Sequence, residues 1–266
     1  KSLEEIGDGK QGLATADNGR FLRFWSEVSQ KDYYLTAENL LEAKQTGCKW
    51  FPYNKAEQLR KGYGNQDYLV NWENDGCEIK NFKDNNGKLR SRPQNTEWYF
   101  KESISWGLIT SAGSSFRLYP NGFIYDVGGM SFFPYKNVNK FNLLGSLNSK
   151  LISNINNLLN PTINLQIGDV IRLPFLETES KELESDVQLC ISISRQEWNS
   201  RETSWDFEEN ELIRLNGQDL EEAIDLYRQY WSKQFIELHQ NEEELNRQFI
   251  EIYGLEEDLD LNVALE

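Results

Sequence analysis

The residues best suited to chemistry are cations and amides that alternate between Lys49 and Arg117. In the major groove of DNA, arginine and lysine form paired hydrogen bonds with guanine, whereas asparagine and glutamine form them with adenine. Lysine and serine also bind phosphate, which fixes the register of a protein on a duplex. The pattern predicts a surface that contacts duplex DNA. The predicted contacts are Lys55, Arg60, Lys61, Lys88, Arg90, Arg92, Gln94, Asn95, Ser114 and Arg117.

Two short segments concentrate these residues. Residues 88–95, KLRSRPQN, place two arginines and two amides around Pro93, which restricts the backbone and suits contact with base edges. Residues 111–116, SAGSSF, offer small side chains and backbone amides for close approach to phosphate. A solvated polar loop is the alternative for the first segment, and an ordinary turn is the alternative for the second.

A different chemistry is suggested by Asp67, Glu78 and Lys80, which follow the order of residues in metal-dependent nucleases. In such a site two carboxylates bind Mg²⁺ and the lysine helps to activate water. Three common residue types meet this loose pattern in many unrelated chains. Charges at turns and strand edges are therefore the alternative interpretation.

Histidine and cysteine are too few for their usual chemistry. The one histidine, His239, belongs to a polar stretch of helix, which indicates a solvated side chain. Cys48, Cys77 and Cys190 are widely spaced, and a structural zinc site needs about four such ligands. We expect no metal site, and three reduced thiols in a cytoplasmic protein. The apolar runs are shorter than the ~20 residues that span a bilayer.

Charge divides the chain into two parts. The net charge of −15 is the sum of +3 over residues 1–176 and −18 over residues 177–266. Only the first part is therefore suited to a polyanion, and the acidic tail would repel one. We expect the cations of the first part to gather on one concave surface, with the acidic helices turned elsewhere.

Periodicity predicts an α+β fold whose first part, residues 1–176, is a mixed-sheet domain. Strands are predicted at residues 67–72 and 123–127, and hairpin-type turns at Asn86-Gly87 and Asn121-Gly122. Apolar residues spaced by three and four predict a helix over residues 140–159, which Asn160-Pro161 ends. A closing strand is predicted at residues 167–175.

The second part is predicted to be mainly helical. Residues 177–186 are polar and acidic, which indicates a linker before a C-terminal region at 187–266. Residues 187–195 resemble a short strand. Apolar residues then follow one helical face from Leu220 to Ile252, with a break near Asn241 and a stop at Gly254.

Several long segments, in this order, resemble one protein family. They are GLATADNGRFLRFW, KWFPYNK, GYGNQDYLVNWENDGCEIKNF, LRSRPQNTEWYFKE, GFIYDVGG, LLGSLNSKL, LNPTINLQIGDVIRLPF, SRETSWDF and NEEELNRQFIEIYGLEEDL. The chain resembles the region after the catalytic domain in PglX-type adenine-specific DNA methyltransferases of the bacterial BREX phage-defence systems. It begins at Lys1 rather than Met, and we interpret it as a piece of a longer protein.

The resemblance implies a target-recognition domain similar to those in Type I restriction specificity subunits. It implies a parent enzyme that transfers a methyl group from S-adenosylmethionine to N6 of adenine in a non-palindromic site. The implied partners are double-stranded DNA, the methyltransferase domain of the same protein and other phage-defence subunits, with no membrane. One departure is Thr15-Ala16-Asp17-Asn18, where Thr-Gly-x-Asn is expected, so a tight turn at Ala16 is in question.

The sequence lacks the motifs of the methyl-transfer reaction itself. Neither a glycine-rich cofactor turn nor an Asn/Asp-Pro-Pro-Tyr/Phe loop for a flipped adenine is present. Asn160-Pro161 continues with Thr162-Ile163 and has no second proline or aromatic ring. No catalytic or cofactor-binding residue is therefore predicted in this chain. The alternatives to DNA recognition are a protein-interaction platform built on the acidic helices, and the Mg²⁺-dependent nuclease.

Overall fold

A computed structural model describes residues 1–55, 59–109 and 113–264. The predicted α+β fold is confirmed, because sheets of mixed and antiparallel strands precede a helical C-terminal region. The strands within the described residues are β1 (Gly7–Lys10), β2 (Leu22–Phe24), β3 (Trp50–Asn54), β4 (Tyr68–Asn71), β5 (Ser103–Gly107), β6 (Phe116–Tyr119), β7 (Ile124–Tyr125) and β8 (Gly129–Pro134).

These strands form two sheets. The first has the order β1-β8-β5-β6 and is antiparallel throughout. The second has the order β2-β4-β3-β7, in which β7 pairs with β3 in parallel. The strand predicted at residues 67–72 is confirmed as β4, and part of the one at 123–127 as β7.

The turns at the two Asn-Gly pairs differ. Gly87 has a φ of 79°, and residues 83 and 89 pair across that turn. Gly122 has a φ of 106°, and a Cβ at this position would lie 2.1 Å from the carbonyl oxygen of Leu35. Because it joins β6 to β7, which lie in different sheets, the second turn is not a hairpin.

Helices fill the intervals and the C-terminal region. The described helices are α1 (Asn18–Phe21), α2 (Leu40–Thr46), α3 (Glu73–Lys80), α4 (Lys140–Asn148), α5 (Lys150–Leu159), α6 (Ile167–Val170), α7 (Lys181–Asn199), α8 (Glu211–Arg214) and α9 (Leu220–Tyr253). The helix predicted over residues 140–159 is present as α4 and α5. Ser149 separates them, and its hydroxyl accepts a hydrogen bond from the Ile152 amide, as an N-cap does.

Both strands predicted after residue 160 are wrong. Residues 167–170 form α6, because the Asp169 carboxylate accepts a hydrogen bond from the Gln166 amide and closes the first helical turn. Residues 187–195 lie inside α7. Their apolar side chains continue a spacing of four from Leu183 to Val187 and Ile191, which buries one helical face.

The predicted break near Asn241 is also wrong, since α9 is continuous from Leu220 to Tyr253. Its predicted stop is confirmed at Gly254, which adopts a left-handed φ of 66°. The second half of α9 buries Leu245 and Phe249 against α4 and α7, and this packing supports the helix across residue 241.

The largest core is shared by the two parts of the chain. It joins Leu143 and Leu147 of α4 to Val187 of α7 and Phe249 of α9. Gly145 allows close packing there, because a Cβ at this position would lie 2.5 Å from a methyl carbon of Val187. The acidic helices therefore pack directly on the first part, and α7 already begins at Lys181, within the stretch predicted as a linker.

Candidate nucleic-acid interface

Backbone hydrogen bonds bring several predicted contacts to one end of the two sheets. Arg92 pairs with Ala14, and the neighbouring Leu13 pairs with Asp126. The Asp126 amide in turn donates a 2.9 Å hydrogen bond to the carbonyl oxygen of Asn54, the residue before Lys55. Adjacent extended segments lie about 4.8 Å apart. Lys55 and Arg92 are thus separated by only two intervening segments.

The same end includes the described residues of the connection from β5 to β6, which are 108–109 and 113–115. The Leu108 amide donates a 2.9 Å hydrogen bond to the carbonyl oxygen of Gly128, and the Val127 amide donates to that of Leu13. Ser114 follows in this connection and is half-buried, whereas the predicted phosphate-binding residues 111–112 lie outside the described residues. We call this surface the loop end. It comprises residues 11–18, 54–55, 88–95, 113–115 and 126–128.

The most accessible cations of the loop end are Lys88, Arg90 and Arg92, all of which are exposed. Arg90 and Arg92 flank the buried Ser91, so both side chains project outward from an extended segment. The Arg90 guanidinium lies 5.3 Å from the centre of the Phe82 ring and donates a 3.4 Å hydrogen bond to the Ala16 carbonyl. Within the described ranges, no carboxylate lies within 4.0 Å of these three cationic groups.

Gln94 and Asn95 have a different role from the arginines beside them. The Gln94 amide donates a 3.2 Å hydrogen bond to the Gly12 carbonyl, and the Asn95 amide donates one of 2.8 Å to that of Gln11. Asn95 adopts a left-handed φ of 51°. Both side chains therefore attach residues 11–12 to the arginine-bearing segment, and each directs a side-chain N–H to the protein.

The turn at Ala16 is retained without glycine. Ala16 has a φ of 61°, a conformation in which an alanine is strained. The Asp17 carboxylate accepts a hydrogen bond from the Arg20 amide and caps α1 immediately afterwards. The Arg20 guanidinium itself lies 4.9 Å from the Phe82 ring centre.

Arg60 and Lys61 face the acidic helices. The Arg60 guanidinium forms a 2.5 Å ion pair with Glu197 of α7 and lies 5.1 Å from the Trp198 ring centre. Lys61 forms a 2.8 Å ion pair with Glu242 of α9. The expectation that the acidic helices turn away from all the cations is wrong here, because two of the predicted contacts are ion-paired to them.

Arg117 is the one predicted contact that is buried, with 1% exposure, so its side chain is not on the surface. Strand pairing places it in one row with Ser105, Ser131 and Lys10. Ser105 and Ser131 are fully buried as well, and the Arg117 guanidinium lies 5.9 Å from the centre of the Tyr119 ring. The cation pattern of the sequence could not distinguish this interior arginine from its exposed neighbours.

Asp126 is a residue of the loop end that sequence reasoning missed. Burial raises its pKa above the ordinary value, an effect opposed by a hydrogen bond from the Gly128 amide and by the charge of Lys55. The Asp-x-Gly spacing of a turn is the signal that could have identified it. Lys55, whose ammonium lies 5.1 Å from the Tyr68 ring centre, therefore has a carboxylate in its vicinity.

The residues of the nuclease pattern interact with other neighbours. Glu78 accepts hydrogen bonds from Arg20 and Asn71, and Lys80 forms a 2.7 Å ion pair with Asp75. Across the described part of the chain, no group of three or more His, Cys, Asp or Glu residues is arranged to hold a metal ion. The described helices also include none that is both long and apolar enough to span a bilayer.

Comparison with known proteins finds sequence relatives that are named as adenine-specific methyltransferases. The chain is 37% identical over 252 residues to the adenine-specific methyltransferase PglX of Lacticaseibacillus casei, covering 92% of this chain and 21% of that protein. It is 36% identical over 199 residues to the adenine-specific methyltransferase BrxX of Escherichia coli, covering 74% of this chain and 15% of that protein. No protein-family model matches the chain.

A solved structure is similar at a lower level. The Type IIL restriction-modification enzyme MmeI, in complex with DNA, has a TM-score of 0.46 and 10% identity, over 96% of this chain and 34% of that one. The chain spans about a fifth or less of the length of its sequence relatives. The sequence matches establish that the chain belongs to the family of PglX and BrxX adenine-specific methyltransferases, of which it corresponds to a part.

Proposed function

We propose that this chain is the sequence-recognition part of a site-specific DNA N6-adenine methyltransferase of a phage-defence system. The observation that carries the proposal is the group of exposed cations at the loop end, Lys88, Arg90 and Arg92, in a chain whose relatives are named adenine-specific methyltransferases. The chain has neither motif of methyl transfer. In this proposal, the methyltransferase domain and its S-adenosylmethionine belong to the remainder of a cytoplasmic parent protein.

The proposed mechanism is contact with the major groove from a stiff segment. Pairing of Arg92 with Ala14, and the hydrogen bonds of Gln94 and Asn95, hold the backbone from which Arg90 and Arg92 project. A fixed backbone lowers the entropic cost of placing long side chains on base edges. Lys55, Lys88 and Ser114 are suited to phosphate. The duplex so held would present an adenine for flipping into the catalytic domain.

Selection from a randomised pool of duplexes tests this function with the chain itself. The immobilised 266-residue chain is incubated with the pool at low salt, and the retained DNA is amplified and sequenced over several rounds. We expect enrichment of one non-palindromic motif, because base-edge contacts discriminate between sequences. Retention without any enriched motif would contradict sequence recognition, and absence of retention would contradict DNA binding altogether.

The protein-interaction platform remains a second candidate because of one observation on α9. Its first half exposes Tyr227 and Phe235, with 41% and 50% of their surface accessible. They line a groove of about 650 Å³ between α7, α9 and residues 59–61. Size-exclusion chromatography of the chain with each purified phage-defence partner would test it. Co-elution that Phe235→Ala abolishes would support an interface there, and independent elution would contradict it.

A further inference from the structure

Gly62 forms an isolated β-bridge with Arg117 of β6, at the edge of the first sheet. The Gly62 amide donates a 3.0 Å hydrogen bond to the Phe116 carbonyl, and the Leu118 amide donates one of 2.9 Å to the Gly62 carbonyl. The Arg60 amide also donates a 3.3 Å hydrogen bond to the Ser115 hydroxyl. The position of residues 60–62 is therefore coupled to that of residues 115–116, of which Ser115 belongs to the loop end and directly follows Ser114.

Two carboxylates of the acidic helices hold residues 60 and 61 through ion pairs. Glu197 and Glu242 form the ion pairs with Arg60 and Lys61 described above. The Arg60 side chain is only 17% exposed, so its ion pair is less screened by solvent than a pair on an open surface. The face of Trp198, itself 5% exposed, supports the guanidinium further.

We infer that Glu197 and Glu242 are positioning residues for DNA binding. They hold residues 60–62, and through them Ser114 and its neighbours, in the arrangement in which the loop end contacts a duplex. The inference rests on the proposed function of DNA recognition. The net negative charge of the acidic helices predicts only repulsion of DNA. According to the inference, two of their carboxylates nevertheless favour DNA binding, because they position residues that contact it.

Electrostatics and positioning predict opposite results when these carboxylates are neutralised. Loss of a negative charge alone strengthens binding of a polyanion or leaves it unchanged. Loss of a positioning contact weakens binding because the loop end becomes less ordered before it meets DNA. The sign of the change therefore distinguishes the two effects.

The experiment compares Glu197→Gln, Glu242→Gln and their combination with the control Glu221→Gln in the full chain. Glu221 is exposed in the first turn of α9 and has no ion pair among the described residues. The probe is a fluorescein-labelled duplex with the selected motif, titrated by anisotropy over a range of salt. We expect the double variant to bind about tenfold more weakly with a smaller salt slope, as fewer phosphates are contacted, and the control to bind no more weakly than the native chain.

Charge reversal separates positioning from direct contact with DNA. Lys61→Glu alone should weaken binding, and adding Glu242→Lys re-forms the ion pair with reversed charges. We expect the double substitution to regain a large part of the lost affinity. Direct contact of Lys61 with phosphate would leave the double variant as weak as Lys61→Glu, and that result would overturn the inference for this pair. Thermal unfolding of every variant verifies that each is folded at the titration temperature.

The outcomes also separate this inference from the proposed function. Glutamine variants that bind as tightly as the control overturn the positioning role. The DNA-recognition proposal is then tested separately, by substitution of Arg90 and Arg92. If the native chain binds neither the selected duplex nor a random one, the proposed function and the inference both fail.

Discussion

Two groups of cations from the same basic stretch of sequence have different surroundings. Lys88, Arg90 and Arg92 project from the loop end, and no carboxylate among the described residues pairs with them. Arg60 and Lys61 are held by Glu197 and Glu242 on the acidic helices. Composition alone predicts both groups as DNA contacts, although the first is available to a ligand and the second is engaged with the protein.

The difference shows that the net charge of a segment does not determine which partners its individual charged side chains bind. The acidic helices carry a net charge of −18 over residues 177–266, yet two of their carboxylates neutralise cations of the first part. Partly buried ion pairs of this kind fix geometry at close range, whereas net charge acts over the ~8 Å of physiological screening. Lys55 lies between the two cases, since the charge of Asp126 acts on it without a direct ion pair between them.

The largest expected effect is on the core that attaches the acidic helices to the first part. Phe249→Ala removes a fully buried ring packed near Gly145 and should lower the free energy of unfolding by about 3–5 kcal/mol. Because that core includes residues of both parts, we expect one cooperative transition at a lower midpoint. Urea unfolding followed by both tryptophan fluorescence and circular dichroism measures it.

Phe235→Ala is the matched control in the same helix, since its ring is 50% exposed. Its effect should be within about 1 kcal/mol of the native chain. Two separate transitions, with only one moved by Phe249→Ala, would show that the boundary predicted after residue 176 divides independently stable units. Equal effects of the two substitutions would contradict the shared core.

The next effect concerns the exposed group. The double substitution Arg90→Ala and Arg92→Ala should weaken binding of the selected duplex by about 1–3 kcal/mol for each bidentate contact that is lost. The salt slope should also become smaller if either guanidinium neutralises phosphate. Anisotropy titration measures both quantities. Arg228→Ala, an exposed arginine of α9, is the control, and equal affinities for all three proteins would remove residues 90–92 from the interface.

The sequence predicts the elements whose signals are local. β4, the helical stretch of residues 140–159 and the stop of α9 at Gly254 follow from periodicity, proline and glycine. Residues 167–175 and 187–195 are wrongly predicted as strands because short apolar runs suit either structure. A side-chain cap favours the helix at the start of residues 167–175, and packing on α4 favours the helix at residues 187–195.

The sequence predicts the kind of site, a surface that contacts DNA, but identifies only some of the residues that belong to it. Composition identifies the exposed arginines of residues 88–95, but their position beside residues 11–18 depends on pairing between segments distant in sequence. The burial of Arg117 and the ion pairs of Arg60 and Lys61 depend on strand register and helix docking. Neither is encoded in a local pattern, so composition overestimates the number of available contacts.

The smallest expected effect is that of Asp126→Asn, which tests the influence of the Asp126 charge on Lys55. Burial raises the pKa of Asp126 in the folded protein, so its contribution to stability is complete below the ordinary value of 3.8. That contribution is lost as pH rises through the raised value. Asparagine stays neutral, and the variant should gain stability relative to the native chain between acid and neutral pH. The gain should be about 1.4 kcal/mol for every tenfold difference between the acid dissociation constants of the folded and unfolded protein.

Urea unfolding of both proteins at several pH values measures this difference, and the titration of their common carboxylates cancels in the comparison. At neutral pH the variant should also bind the selected duplex slightly more tightly, because Lys55 no longer has a negative neighbour at the loop end. Asp126→Glu, which keeps the charge, is the control for that second measurement. A stability difference that shrinks toward neutral pH would mean that the ionised carboxylate is stabilised by the Gly128 amide and Lys55 more than burial destabilises it.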